Sequence, residues 1–227
     1  MTKNTYPGKF IAFEGIDGSG KSTQAKLLLE KLLREGYTAK AIDFPQYGKK
    51  SAGPVEEYLA GKYGSANEIG PYAASTFFAV DRYDLSFQLR EWLAQGYVVV
   101  TDRYVGSNMG HQGAKISSPA KRTQFFKWLY ELEYGIFGIP KPTTSFFLDI
   151  PAKIAQELCE NPERRKKKKK DIHEQDPKHF QNAERAYRHA LELFPREFVR
   201  IENMRQGALL SPQIVHETVW TRVKKYL

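Results

Sequence analysis

Short, continuous apolar runs alternate along this chain with longer stretches in which apolar residues recur at helical spacing. KFIAFEG, residues 9–15, predicts a buried strand running into a glycine turn. KSTQAKLLLEKLLREG then sets Ala25, Leu28, Leu29, Leu32 and Leu33 at helical spacing and stops at Gly36, so it predicts a helix. AKAIDFP predicts a second strand, ended by Pro45. Residues 71–95 predict a long helix closed by Gly96. YVVVTDR, with three consecutive valines before its polar end, is the clearest buried strand. A helix over 120–134, a strand at TTSFFLDI, a charged segment, a helix over 180–193, a strand at EFVRIEN and a helix over 211–226 complete the pattern.

Strands alternating with helices predict an α/β chain: a parallel sheet of about five strands with helices on both faces, in three layers. Ligands in such sheets sit beyond the C-terminal ends of the strands. There is no internal repeat and no separating linker, so residues 1–227 are expected to form one domain.

Composition narrows the class. The chain is 41% hydrophobic and 27% charged, as expected of a globular protein. Its apolar runs are too short to span a bilayer, and MTKNTYPGKF lacks the apolar core of a signal peptide, so no membrane partner is expected. The single cysteine, Cys159, excludes an intrachain disulfide and fits a reducing compartment, the cytoplasm. Seven of the +9 net charges sit in RRKKKKK, residues 164–170, which leaves +2 for everything else. A chain so nearly balanced elsewhere has no wide basic surface, and specific nucleic-acid binding is not expected. The cationic run reads either as a solvated loop or as a loop that orders when phosphates arrive.

The first strand and helix are joined by a phosphate-loop motif. Gly15, Gly20, Lys21 and Ser22 satisfy G-x-x-x-x-G-K-[ST] in the stretch Gly15, Ile16, Asp17, Gly18, Ser19, Gly20, Lys21, Ser22 and Thr23. Glycines let successive N–H groups turn toward one anion, and the helix N-terminus adds its positive end. Lys21 can reach the outer phosphates and Ser22 can ligate Mg²⁺, so ATP with Mg²⁺ is the expected ligand.

The acceptor is read from what is missing and what remains. No guanine-reading N-K-x-D stretch occurs, which argues against a GTP switch, and the chain is short for a motor ATPase. A small kinase fits. A monophosphate acceptor is already anionic, so its transfer needs alignment and cations rather than a general base. In TFFAVDRYD, Phe78 and Arg82 stand one helical turn apart, spaced to stack on a base and to donate to its edge. The plainer reading makes Phe78 core and pairs Arg82 with Asp81 or Asp84. In VVVTDRYVGSN, Asp102 ends a buried strand where it can hold Mg²⁺ through water. Arg103 follows between the two phosphate sites, and Ser107 and Asn108 offer small polar contacts.

Together, GIDGSGKST, FPQY (44–47), FAVDR (78–82) and DRYVGSN (102–108) resemble the bacterial type of thymidylate kinase, in order along nearly the whole chain. The resemblance implies a P-loop NTPase-like fold with a lid at about 160–176, Mg²⁺- and ATP-dependent conversion of dTMP to dTDP, and a homodimer. It implies that Asp17 meets the sugar 3′-hydroxyl near the metal, Phe78 stacks on thymine, Arg82 bonds its O4 and Asn108 reads the pyrimidine edge. It implies further that Arg103 bridges both phosphates, that Tyr47 touches the acceptor phosphate, and that Phe44 and Pro45 shape that wall. In this family, glycine after the loop aspartate goes with catalytic basic residues in the lid. Gly18 follows Asp17 here, which makes Arg164 and Arg165 the catalytic lid candidates by their forked phosphate contact, with Lys168–Lys170 the alternative register. Glu174, in DIHE, is a candidate near substrate or metal, or else a helix-start carboxylate. His111 stands where relatives often carry tyrosine near the sugar 2′ position, and Gln46 where arginine or glutamate is often found. The alternatives are a kinase for another pyrimidine nucleotide or a deoxynucleoside, and a non-catalytic nucleotide- or polyanion-binding protein.

Overall fold

The computed structural model describes residues 6–66, 68–161 and 178–227. Five strands lie in one sheet: β1 (Lys9–Glu14), β2 (Ala39–Asp43), β3 (Val98–Asp102), β4 (Thr144–Asp149) and β5 (Phe198–Glu202). Their spatial order is β2-β3-β1-β4-β5, and every neighbouring pair is parallel. β1 is therefore central, and its C-terminal end opens toward both β3 and β4.

Side-chain alternation builds the layers. Ile11 and Phe13 of β1 and Val98 and Val100 of β3 face one side, against Leu28 and Leu32 of α1 (Lys21–Arg34). Phe10, Ala12 and Val99 face the other, against Leu89 and Leu93 of α3 (Pro71–Ala94) and Phe125, Phe126 and Leu129 of α5 (Pro119–Tyr130). The first layer is completed by Val215, Val219 and Val223 of α8 (Pro212–Val223) and the second by Ala186 and Ala190 of α7 (His179–Leu193).

The strands and long helices stand where the pattern puts them, but several short elements escape it. α2 (Gly53–Leu59), with a 3-10 turn before it at Lys50–Ala52, α4 (Val105–Gly113), α6 (Ala152–Glu160) and a hairpin of β6 (Met204–Arg205) and β7 (Ala208–Leu209) were not expected. The helix expected over 120–134 leaves α-geometry at Tyr130 and widens into a π-helical turn, Glu131–Ile136, which carries Glu133 into the interior. α4 holds Gly106, Gly110 and Gly113 yet is buried along its whole length. A Cβ at Gly110 would lie 2.1 Å from the Tyr187 ring and one at Gly113 2.7 Å from Phe126, so these glycines let α4 press against α7 and α5. Close packing there overrides poor helix propensity.

Candidate active site

The phosphate loop leaves β1 at Glu14 and enters α1 at Lys21, so it ends on helix N–H groups that have no intrahelical acceptors. Two of its glycines are dictated by their surroundings. Gly15 (φ 145°) has the Leu148 carbonyl 2.9 Å from where a Cβ would sit. At Gly18 (φ 80°) a Cβ would fall 2.3 Å from the Ala155 carbonyl and 3.0 Å from Cys159 Sγ, because α6 packs directly on the loop. Lys21 is buried and donates to the Ile16 carbonyl at 2.8 Å, and Ser22 and Thr23 are exposed on the first turn.

Beyond the ends of β1 and β3 lies an open cleft. Every acceptor-side candidate lines it: Asp17, Phe44, Pro45, Tyr47, Phe78, Arg82, Arg103, Ser107, Asn108 and His111. Leu59 and Gln112 also line it and were not foreseen. Gln112 lies four residues after Asn108, the spacing of one helix face, a signal readable only once α4 is known to be a helix.

Cations converge at the loop end of this cleft. Arg103 takes the left-handed conformation (φ 74°), costly for a residue with a side chain, and its N–H bonds the Phe13 carbonyl at 3.0 Å. Its guanidinium forms an ion pair with Asp17 and lies 3.0 Å from His111 Nε2. Lys21 Nζ is 3.8 Å from the same Asp17 oxygen. Burial alone would raise the Asp17 carboxyl, but the Arg103 guanidinium above all, with the Lys21 ammonium, holds it well below the usual carboxylate range. Burial, and then Arg103, push Lys21 below its ordinary value. One carboxylate thus serves as counter-ion to two cations that repel each other.

Arg82 departs from both earlier readings of its partner. It pairs with neither Asp81 nor Asp84 but with Glu133, through Nε at 2.5 Å and a terminal nitrogen at 2.7 Å. A third N–H reaches the Tyr104 carbonyl at 3.4 Å, so three of the five donors of a guanidinium are engaged. Asp81 instead accepts from the Gln46 backbone at 2.8 Å, the Gln46 amide at 3.0 Å and Ser51 Oγ at 2.8 Å. Gln46 is thereby the anchor that fixes the Phe44–Tyr47 wall to α3. Phe78 meets Tyr58 edge to face at 6.1 Å between ring centroids, and Asn108 Nδ2 donates to the Ser75 carbonyl at 3.2 Å.

Glu14 was missed, although a carboxylate ending an apolar strand is a visible anomaly. It is buried and accepts from Tyr104 N at 2.9 Å and Ser107 Oγ at 2.7 Å. Burial raises its carboxyl despite those bonds. It ties β1 to the start of α4, which aims Ser107, Asn108 and His111 at the cleft.

The acid end of β3 fits a hydrated divalent cation. Asp102 pairs in register with Asp43 of β2, and its Oδ1 is buried with no hydrogen-bond partner among the described residues. Burial and the Asp102 charge raise Asp43. Arg164, Arg165, Lys168–Lys170 and Glu174, with the lid expected at about 160–176, fall outside the described residues except for Glu160 and Asn161.

The comparisons with known proteins agree with this architecture. The family model described as thymidylate kinase matches residues 13–214. The chain belongs to the thymidylate kinase family. It is 32% identical over 222 residues to the thymidylate kinase of Thermoanaerobacter pseudethanolicus, covering 97% of this chain and 99% of that one. With the thymidylate kinase of Mycobacterium tuberculosis it shares 34% identity over 150 residues, 65% of this chain and 68% of the relative. The solved thymidylate kinase of Candida albicans superposes with a TM-score of 0.73 at 25% identity, covering 96% of this chain and 92% of that one. No helix among the described residues is long and apolar enough to cross a membrane.

Proposed function

We propose that this chain, acting as one nucleoside monophosphate kinase unit, transfers the terminal phosphoryl group of ATP to dTMP and yields dTDP. The observation that carries the reading is the meeting of Lys21 and Arg103 on Asp17, at the seam between the phosphate loop and the cleft. Two anionic nucleotides held tail to tail repel each other, and fixed cations at that seam offset the charge that develops in transfer. Asp17 offsets the repulsion between the two cations until phosphates arrive and then turns to the sugar 3′-hydroxyl.

Phe78 offers a ring for thymine, Arg82 its two remaining N–H groups for O4, and Asn108 an amide for the pyrimidine edge. Tyr47 meets the acceptor phosphate, Phe44 and Pro45 form the wall beside it, and Ser107 and His111 border the sugar. Ser22 and Asp102, the latter through water, would hold Mg²⁺, which neutralises phosphate charge when bound. Arg164 and Arg165 would add cations at the transferring group, and Glu174 would lie near the metal.

The reading includes a homodimer in the cytoplasm. Val80, Tyr83 and Phe87 share one exposed face of α3, and Tyr83 touches Phe137 beside exposed Ile136. An apolar face of that kind is suited to a second copy.

A coupled ADP-release assay over dTMP, dUMP, dCMP, UMP, dGMP and thymidine tests the assignment. Turnover highest with dTMP is expected. Preference for thymidine would make the chain a nucleoside kinase. ATP binding without acceptor-dependent ADP release would make it a binding protein.

A further inference from the structure

A chain of nitrogen contacts leads away from the site. Arg103 lies 3.0 Å from His111 Nε2, and His111 Nδ1 lies 3.0 Å from His179 Nε2. His111 belongs to α4 and His179 is the first residue of α7; they are 9% and 6% exposed. Their rings are nearly parallel, with planes 15° apart and centroids 5.3 Å apart, and Tyr187 of α7 meets His111 edge-on at 6.0 Å. The contact exists because Gly110 lets α4 approach Tyr187 so closely.

The direction of this chain follows from donor and acceptor chemistry. A guanidinium has only donors, so His111 Nε2 must accept. A neutral imidazole that accepts at Nε2 carries its proton on Nδ1. That N–H then donates to His179, whose Nε2 accepts. The opposite tautomer of His111 would set an N–H against the N–H of Arg103.

We propose that His179 is a positioning residue for phosphoryl transfer: by accepting from His111 it fixes the tautomer that keeps Arg103 aimed at the seam. The guanidinium is then held from two sides, by Asp17 and by His111. The claim rests on the function proposed above, but it reaches a residue that does not line the cleft and is separated from Arg103 by a whole side chain.

The test combines His179→Ala and His179→Gln with imidazole ¹H–¹⁵N correlation spectra and steady-state kinetics. The wild-type chain should show His111 with its proton on Nδ1. In His179→Ala the Nε2–H form should appear, with kcat lowered about tenfold, the effect of one misdirected hydrogen bond to a charged group, and the dTMP KM changed by less than about threefold. Glutamine carries an amide oxygen that can accept, so His179→Gln should restore the Nδ1–H form and most of kcat. An unshifted tautomer in His179→Ala, or a glutamine variant no better than the alanine one, overturns the proposal. The spectra need no substrate. A chain inactive on dTMP would therefore refute the proposed function while leaving the tautomer question answered.

Discussion

Two arginine–carboxylate pairs face the same cleft and are built in opposite ways. Arg82 and Glu133 are 2% and 0% exposed and joined through two nitrogens and both carboxylate oxygens. Arg103 and Asp17 are 27% and 23% exposed and joined through one oxygen, which Lys21 also approaches. A buried fork cannot exchange its partner without stranding a charge. A half-open pair can trade its carboxylate for a phosphate while water covers the exchange. One arginine is therefore locked in its pair, and the other can exchange its partner.

The contrast is broken most strongly at Glu133. Glu133→Ala leaves the Arg82 guanidinium buried and unpaired, at a cost of about 3–5 kcal/mol. At roughly 2–4 °C per kcal/mol for a chain of this size, Tm should fall by about 6–20 °C. Thermal and denaturant unfolding would measure it, and a loss below about 1 kcal/mol would reduce the pair to the level of a surface contact.

Arg103→Ala should do the reverse. We expect kcat to drop about 10²–10³-fold, as when a preorganised charge partner is removed, with stability within about 1 kcal/mol of wild type. Kinetics alongside unfolding curves would decide. Destabilisation as large as that of Glu133→Ala would erase the distinction between the two pairs.

The smallest effect sharpens the contrast in acid. Opposing burial, the Arg103 charge leads in holding the Asp17 carboxyl well below its ordinary value. The stability this supplies is complete above the unfolded-state value, about 4, and is lost as pH falls through the depressed folded value. The wild-type advantage over Arg103→Ala should therefore narrow below about pH 4. Denaturant titrations across that range would read it, and a gap independent of pH would mean that Asp17 gains nothing from Arg103.

What could be read from the chain divides along the same line. Strands whose residues are buried on both faces, such as β3, are continuous apolar runs and are visible at once. So is the phosphate loop, whose function is local in sequence. α4 was not visible, because Gly106, Gly110 and Gly113 answer to Tyr187 and Phe126 rather than to helix propensity. The partner of Arg82 was missed for the same reason: Glu133 is 51 residues away and turned inward by a π-helical turn. His179 is 68 residues from His111 and carries no local signal. Most residues that line the cleft fall within recognisable motifs, whereas those that hold them in place come from wherever the fold passes.

The approach of Ala155 to Gly18 has a practical consequence. The inner side of the phosphate loop is walled by a helix backbone, which cannot step aside as a flexible side chain could. Anyone wishing to graft a guanidinium onto the loop at that position would first have to relocate α6.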